Sequence, residues 1–189
     1  YLNNIPFSDH GALLDPPTAD VSARCVSMLA QLGEPRDSER MKAAIAYLER
    51  EQEPDGSWFG RWGVNYVYGT WSALCALNAA GLPPEHPTVA KAVGWLHAIQ
   101  NPDGGWGEDC DSYDLDYKGY TPAPSTASQT AWALLGLMNS GDVDSDAVAR
   151  GIDWLARNQE ADGLWGQEYY TGGGFPRVFY LRYHGYPKY

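Results

Sequence analysis

Three copies of one short pattern constrain this chain more than anything in its composition. Residues 47–58 read Tyr-Leu-Glu-Arg-Glu-Gln-Glu-Pro-Asp-Gly-Ser-Trp, residues 95–106 read Trp-Leu-His-Ala-Ile-Gln-Asn-Pro-Asp-Gly-Gly-Trp, and residues 154–165 read Trp-Leu-Ala-Arg-Asn-Gln-Glu-Ala-Asp-Gly-Leu-Trp. The shared skeleton is an aromatic residue, then Leu-x-x-x-Gln-x-x-Asp-Gly-x-Trp. A fixed pattern recurring in one chain marks a repeat architecture, in which each copy is one supersecondary unit.

Each copy follows an amphipathic segment. Met41, Ala44, Ile45 and Leu48 are spaced i, i+3, i+4, i+7, which puts them on one face of a helix over about 38–52. The stripe recurs at Val89, Ala92, Val93 and Leu96, and at Val148, Gly151, Ile152 and Leu155. Between these lie segments apolar nearly all round, 70–80 and 126–140, as expected of enclosed helices. Thr126 with Gln129 forms a capping-box pattern. A first such helix is expected from Ala19 to Leu32, capped by Thr18 and stopped by Gly33, after a lead-in over 1–17 punctuated by Pro6, Gly11, Pro16 and Pro17. From Gly33, Gly81 and Gly141 to the next repeat Gln is 19, 19 and 18 residues. The unit is therefore inner helix, turn, outer helix and Asp-Gly link. The fold class is all-α, an α/α barrel or toroid of alternating inner and outer helices, with residues 1–189 as a single domain. No strand-like run competes, and the insertion over 108–124 should collect on one rim.

Composition narrows the partners. A formal charge of -11 argues against nucleic acid, which selects basic surfaces, and against charge-driven adhesion to anionic lipid. No run of about 18 apolar residues is present to span a bilayer. Three cysteines fit a reducing compartment better than a disulfide framework, and Cys25 and Cys75 sit in apolar runs where buried thiols are expected. The start at Tyr1, with neither initiator Met nor signal layout, suggests a segment of a longer chain. Eight Trp and 13 Tyr exceed what a modest core needs.

The repeat resembles the QW motif of the triterpene cyclases. The connecting segments 15–21 (Asp-Pro-Pro-Thr-Ala-Asp-Val), 56–69, 101–110 and 169–176 (Tyr-Tyr-Thr-Gly-Gly-Gly-Phe-Pro) sharpen this to the squalene–hopene cyclases across essentially the whole chain. The resemblance implies the incomplete C-terminal portion of a catalytic α/α barrel in an enzyme that cyclises squalene or a related polyprenoid to pentacyclic hopene or hopanol. Such a parent would sit monotopically on the cytoplasmic face of the membrane, with this segment soluble by itself. No metal or organic cofactor is implied. In this family the repeats strap the barrel, which makes Gln52, Trp58, Gln100, Trp106, Gln159 and Trp165 architectural.

Squalene offers no polar handle, so cyclisation begins with protonation of an alkene by a strong carboxylic acid in a dry cavity. The ensuing cations need aromatic faces and no nucleophiles. The family's acid motif, Asp-x-Asp-Asp, is not in this sequence. Asp114-Leu-Asp116 matches it only in part and reads as two solvated loop carboxylates, so the chain alone should be inactive and the acid should belong to preceding sequence. By resemblance, Asp20 and Arg24 support that acid. Tyr68 helps orient the water that reprotonates it, and Trp62, Phe175, Phe179, Tyr183 and Tyr186 line the substrate cavity. The spacing of the last four puts them on one helical stripe, which ordinary core packing would also explain. Asp20 also suits a first-turn acid at a helix N-terminus.

Two other classes compete. A zinc-dependent prenyltransferase β-like subunit is suggested by Glu108, Cys110 and Asp111 with a distant His. A non-catalytic toroid serving as an interaction module is suggested by the missing acid. An incomplete barrel should expose inner-helix surface, so a homodimer or looser self-association is expected.

Overall fold

The computed structural model describes residues 16–114, 119–175, 179–181 and 185. Six helices run in order: α1 Ala19–Gln31, α2 Glu39–Arg50, α3 Tyr66–Ala79, α4 Pro87–Ala98, α5 Ala127–Asn139 and α6 Asp146–Asn158. Inner α1, α3 and α5 pack successively on one another, and outer α2, α4 and α6 each cover the inner helix before it. The α/α toroid arrangement expected from the repeats is what forms.

The core lies between the layers. Ala23 and Val26 of α1, Ala73, Leu74 and Leu77 of α3, and Ala133 and Leu137 of α5 meet Met41, Leu48, Val89, Ala92, Leu96 and Val148 from the outer layer. On α6 Val148 and Gly151 of the expected stripe are buried, but Ile152 is 50% exposed and Leu155 half-buried, while Ala147 and Trp154 are buried. Small residues on the inner helices let the backbones approach closely while larger side chains fill the space beneath the outer layer.

The repeat forms a closed turn. Asp55, Asp103 and Asp162 each accept a hydrogen bond at Oδ1 from the backbone N–H two residues on, an Asx turn. The glycine after each has positive φ: Gly56 107°, Gly104 97° and Gly163 85°. The Trp indole N–H returns to a carbonyl of its own outer helix, Trp58 to Leu48 at 2.7 Å, Trp106 to Leu96 at 2.9 Å and Trp165 to Leu155 at 2.8 Å.

The Gln side chain supplies the link between units. Gln52 Nε2 donates to Gly56 O in its own turn and to Thr88 O of α4, both at 2.9 Å. Gln100 Nε2 likewise donates to Gly104 O and to Ala147 O of α6, both at 2.8 Å. The donors of Gln and Trp thus go to backbone carbonyls. Among the described residues Gln159 makes only the local bond, to Gly163 O at 2.8 Å.

Several expected details differ. Thr18 precedes α1 without a side-chain cap bond, because its hydroxyl donates to Asp20 Oδ1 at 2.6 Å. Cys25 is exposed, since α1 has no inner-helix neighbour on its far side among the described residues, and Cys75 on α3 is half-buried. The third inner helix, α5, keeps the capping pattern, with Thr126 Oγ1 accepting from Gln129 N at 3.2 Å.

The stripe expected beyond Phe175 is not helical where it is described. Gly172–Phe175 and Phe179–Leu181 form β1 and β2, an antiparallel hairpin with Phe175 opposite Phe179. Three successive glycines followed by Pro176 favour an extended turn over helix propagation. Tyr183 and Tyr186 lie outside the described residues. So does Asp116, whereas Asp114 is exposed after a 3-10 turn over Cys110–Tyr113.

Candidate functional site

The N-terminal ends of the inner helices carry the residues singled out for chemistry. Asp20, in the first turn of α1, is 1% exposed. Its Oδ1 accepts from the Thr18 hydroxyl at 2.6 Å and the Val21 N–H at 3.0 Å, and its Oδ2 accepts from the Trp62 N–H at 3.0 Å. Asp20 thus sits as an acid in the first turn of α1, where it also accepts the Val21 N–H. The bond to Trp62, 42 residues away, adds a second role: it pins the loop between the first repeat and α3. Ser72 of α3 donates to the Asp20 carbonyl at 3.0 Å.

That loop is held from both ends. The Gly63 backbone bridges to Gly172 at the base of the hairpin, which brings β1 beside Trp62. A Cβ on Gly63 would lie 2.1 Å from the Tyr68 ring, so glycine is what allows the loop to cross Tyr68. The hairpin is moored to α5, where Gln167 accepts from the Ser128 hydroxyl and donates to Thr171 Oγ1. Asp20, Trp62, Tyr68 and the hairpin bearing Phe175 and Phe179 are thereby linked into one region. Trp62 is 39% exposed, with the Arg61 guanidinium 4.5 Å from its ring centroid. It contributes to a hollow of about 800 Å³ with Val21, Cys25, Leu29, Ala44 and Tyr47, a volume in the range of small-molecule sites.

Tyr68 belongs to an aromatic cluster absent from the sequence reading. Trp71 of α3 stacks on Trp132 of α5 with centroids 5.9 Å apart and planes 12° from parallel. Tyr68 meets both edge-on, at 5.4 and 5.0 Å. Arg24 lies over Trp71, its guanidinium carbon 4.1 Å from the ring centroid. Arg24 makes no ion pair among the described residues. Neighbouring Cys75 has its thiol pushed up to about 11 by burial, with the positive charge of Arg24 acting the other way.

Glu108 has a different role from the metal ligand considered above. It is 1% exposed, and its carboxylate accepts the backbone N–H groups of Asn65, Tyr66 and Val67, each at 2.9 Å. These are orphan donors at the N-terminus of α3, so Glu108 caps a helix 42 residues upstream and favours its positive dipole end. This explains why α3 starts at Tyr66 and not near Thr70. Burial pushes the carboxyl up to about 7, against the pull of the three N–H groups. Gln129 completes the knot, accepting from Glu108 N at 3.1 Å and donating to Glu108 O at 3.1 Å and Val64 O at 3.3 Å. Tyr113 donates to Gly60 O at 2.8 Å, and Asn65 Nδ2 to Ser112 O at 3.1 Å.

With both Glu108 oxygens committed to backbone donors, that carboxylate is not offered to a metal. Cys110 is half-buried, its thiol pushed up to about 12 by burial and by Asp109, Glu108 and Asp111. That favours the thiol over the thiolate that zinc requires. Among the described residues no group of three His, Cys, Asp or Glu side chains is placed to hold a metal ion, and no helix is long and apolar enough to cross a membrane.

Comparison with known proteins gives one consistent answer. The family described as squalene-hopene cyclase C-terminal domain matches residues 1–189. A squalene–hopene cyclase of Zymomonas mobilis is 72% identical over 189 residues, covering 100% of this chain and 29% of that protein. One from Bradyrhizobium diazoefficiens is 65% identical over 190 residues, again 100% and 29%. A dammaradiene synthase of Dryopteris crassirhizoma is 43% identical over 211 residues, covering 100% of this chain and 31% of that protein. The chain thus spans under a third of the length of these relatives. Among solved structures, the ent-copalyl diphosphate synthase from Streptomyces platensis superposes with a TM-score of 0.65 at 23% identity, over 89% of this chain and 31% of that one, a likeness of fold. A family match over every residue and high identity to its named members lead to one conclusion: the chain belongs to the squalene–hopene cyclase C-terminal domain family.

Proposed function

We propose that this chain forms part of the catalytic barrel of a terpene cyclase that protonates squalene, or a related polyprenoid, and closes it to a pentacyclic hopene or hopanol. The observation that carries this reading is the Asp20–Trp62 link beside Tyr68, which ties a buried carboxylate to an aromatic loop at the N-terminal ends of the inner helices. Asp20, Arg24 and Tyr68 support an acid contributed by the rest of the parent enzyme. Trp62, with Phe175, Phe179, Tyr183 and Tyr186, lines the cavity in which aromatic faces stabilise the cations. The repeat residues Gln52, Trp58, Gln100, Trp106, Gln159 and Trp165 hold the barrel in shape, and residues 1–189 act as one domain. The reaction needs no metal or cofactor.

The test is Asp20→Asn in a full-length cyclase carrying this segment. An amide nitrogen facing the Trp62 N–H breaks the link and displaces the loop, and a displacement of about 1 Å near reacting groups costs about 10²-fold in rate. Wild-type squalene turnover by Asp20→Asn, with the fold intact by circular dichroism, would remove Asp20 from the site. The parent works at a membrane surface, from which its apolar substrate is drawn. By itself, the 189-residue chain self-associates through the α1 flank, where Val21, Met28 and Leu32 are 45%, 50% and 77% exposed.

A further inference from the structure

We propose that Trp71 is a positioning residue that sets the plane of the Arg24 guanidinium, so that its N–H edge meets the carboxylate left when the acid has given up its proton. The inference rests on the cyclase reading above and names the part of that site that holds its counter-cation.

Three planar groups from three successive inner helices meet: Arg24 of α1 lies over Trp71 of α3, which stacks on Trp132 of α5. The guanidinium is 4.1 Å from the Trp71 centroid, and the two indoles lie 12° from parallel. Tyr68 closes the edge of both indoles, with interplanar angles of 64° and 74°, so Trp71 has little room to tilt. A guanidinium stacked by its face keeps its five N–H donors in plane and directed outward. It is also weakly hydrated, so the ring covers it at small cost.

Arg24 is one helical turn beyond Asp20, the spacing of an intrahelical ion pair. Asp20 nevertheless gives its oxygens to Thr18, Val21 and Trp62, and Arg24 forms no ion pair among the described residues. The stack thus holds a buttressed cation whose edge makes no ion pair among the described residues, the form that binds a carboxylate through two parallel N–H···O bonds. Trp71 contacts both the Arg24 guanidinium and the Trp132 indole. On this proposal the catalytic effect of Trp71 passes through Arg24.

The experiment is a double-mutant cycle in a full-length cyclase carrying this segment, with Trp71→Leu and Arg24→Lys, following kcat, KM and products on squalene. Lysine keeps the charge and loses the plane. Trp71→Leu should lower kcat about 10-fold through misorientation, with KM and product profile unchanged, and should cause no further loss in the Arg24→Lys background. Independent losses in the two backgrounds, or an altered product profile at wild-type rate, would overturn the proposal. If Trp71→Leu fails to fold, Trp71→Phe, with a smaller platform, takes its place and should give the same non-additivity. If the wild-type enzyme does not turn squalene over, the cyclase reading fails separately. The stack is then judged from unfolding of the same full-length protein with Trp71→Leu and Arg24→Ala. A coupling of about 2–5-fold in the unfolding constant, the worth of an exposed cation–π contact, supports it, and additivity overturns it.

Discussion

The difference between the second repeat and the third allows a quantitative test of the repeat's role. Gln100→Ala removes the donor to Gly104 O and the donor to Ala147 O, and with them the Arg150 contact to Gln100 Oε1. Each half-buried bond is worth about 0.5–1.5 kcal/mol net, so the substitution should cost about 2 kcal/mol. Gln159→Ala removes a single exposed bond to Gly163 O and should cost under about 1 kcal/mol. For a domain of this size each kcal/mol moves Tm by about 2–4 °C, giving a fall of about 4–8 °C for Gln100→Ala and at most about half that for Gln159→Ala. The glycines give a parallel comparison. Gly104 and Gly163 both have positive φ, so alanine at either costs about 1 kcal/mol of backbone strain. Only at Gly104 would the new Cβ also fall 2.8 Å from a backbone atom of the next outer helix, Arg150 O. Thermal unfolding followed by circular dichroism measures all four variants. Equal losses at positions 100 and 159, and at 104 and 163, would refute the claim that the repeat acts by tying one unit to the next.

The remaining predictions concern Glu108 and the open flank. In the folded chain the Glu108 carboxyl titrates at about 7, against about 4.3 when unfolded. The folded state therefore holds more protons between these values. The stability due to this group is complete below about pH 4.3 and is lost as pH rises through 7. Wild type should lose roughly 4 kcal/mol relative to Glu108→Gln across that window, at 1.36 kcal/mol per pK unit. A pH-independent difference between the two in urea unfolding would show that burial does not govern this carboxyl. For the flank, Met28→Glu and Leu32→Glu on α1 should convert a concentration-dependent sedimentation profile to that of a monomer. A monomeric wild-type chain at high concentration would count against self-association.

The alternating inner and outer helices are legible in this sequence because its repeats are local. The Asx turn, the positive-φ glycine and the return of the Trp indole all fall within eleven residues of the outer-helix Leu, and the periodicity that separates inner from outer helices is local too. Asp20, Trp62 and Tyr68 were found by resemblance, and their placement together follows from hydrogen bonds and packing across the repeats. Other features depend on contacts the linear chain does not show. Glu108 follows the second repeat like any solvated link residue, and only the approach of the α3 N-terminus, with three unpaired N–H groups, makes it a cap and starts that helix four residues early. The 172–181 segment has aromatics at helical spacing, yet pairing across Gly172 and a bridge to Gly63 decide in favour of a hairpin. Arg24 and Trp71 lie 47 positions apart, and their stack exists only because α1 and α3 are neighbours in the inner layer. Sequence alone determined the repeating unit, since turns and amphipathic helices are set by near neighbours. Tertiary structure decided what each buried polar or aromatic group faces, because the energy of a carboxylate or a guanidinium depends on which donors and rings surround it once water is gone.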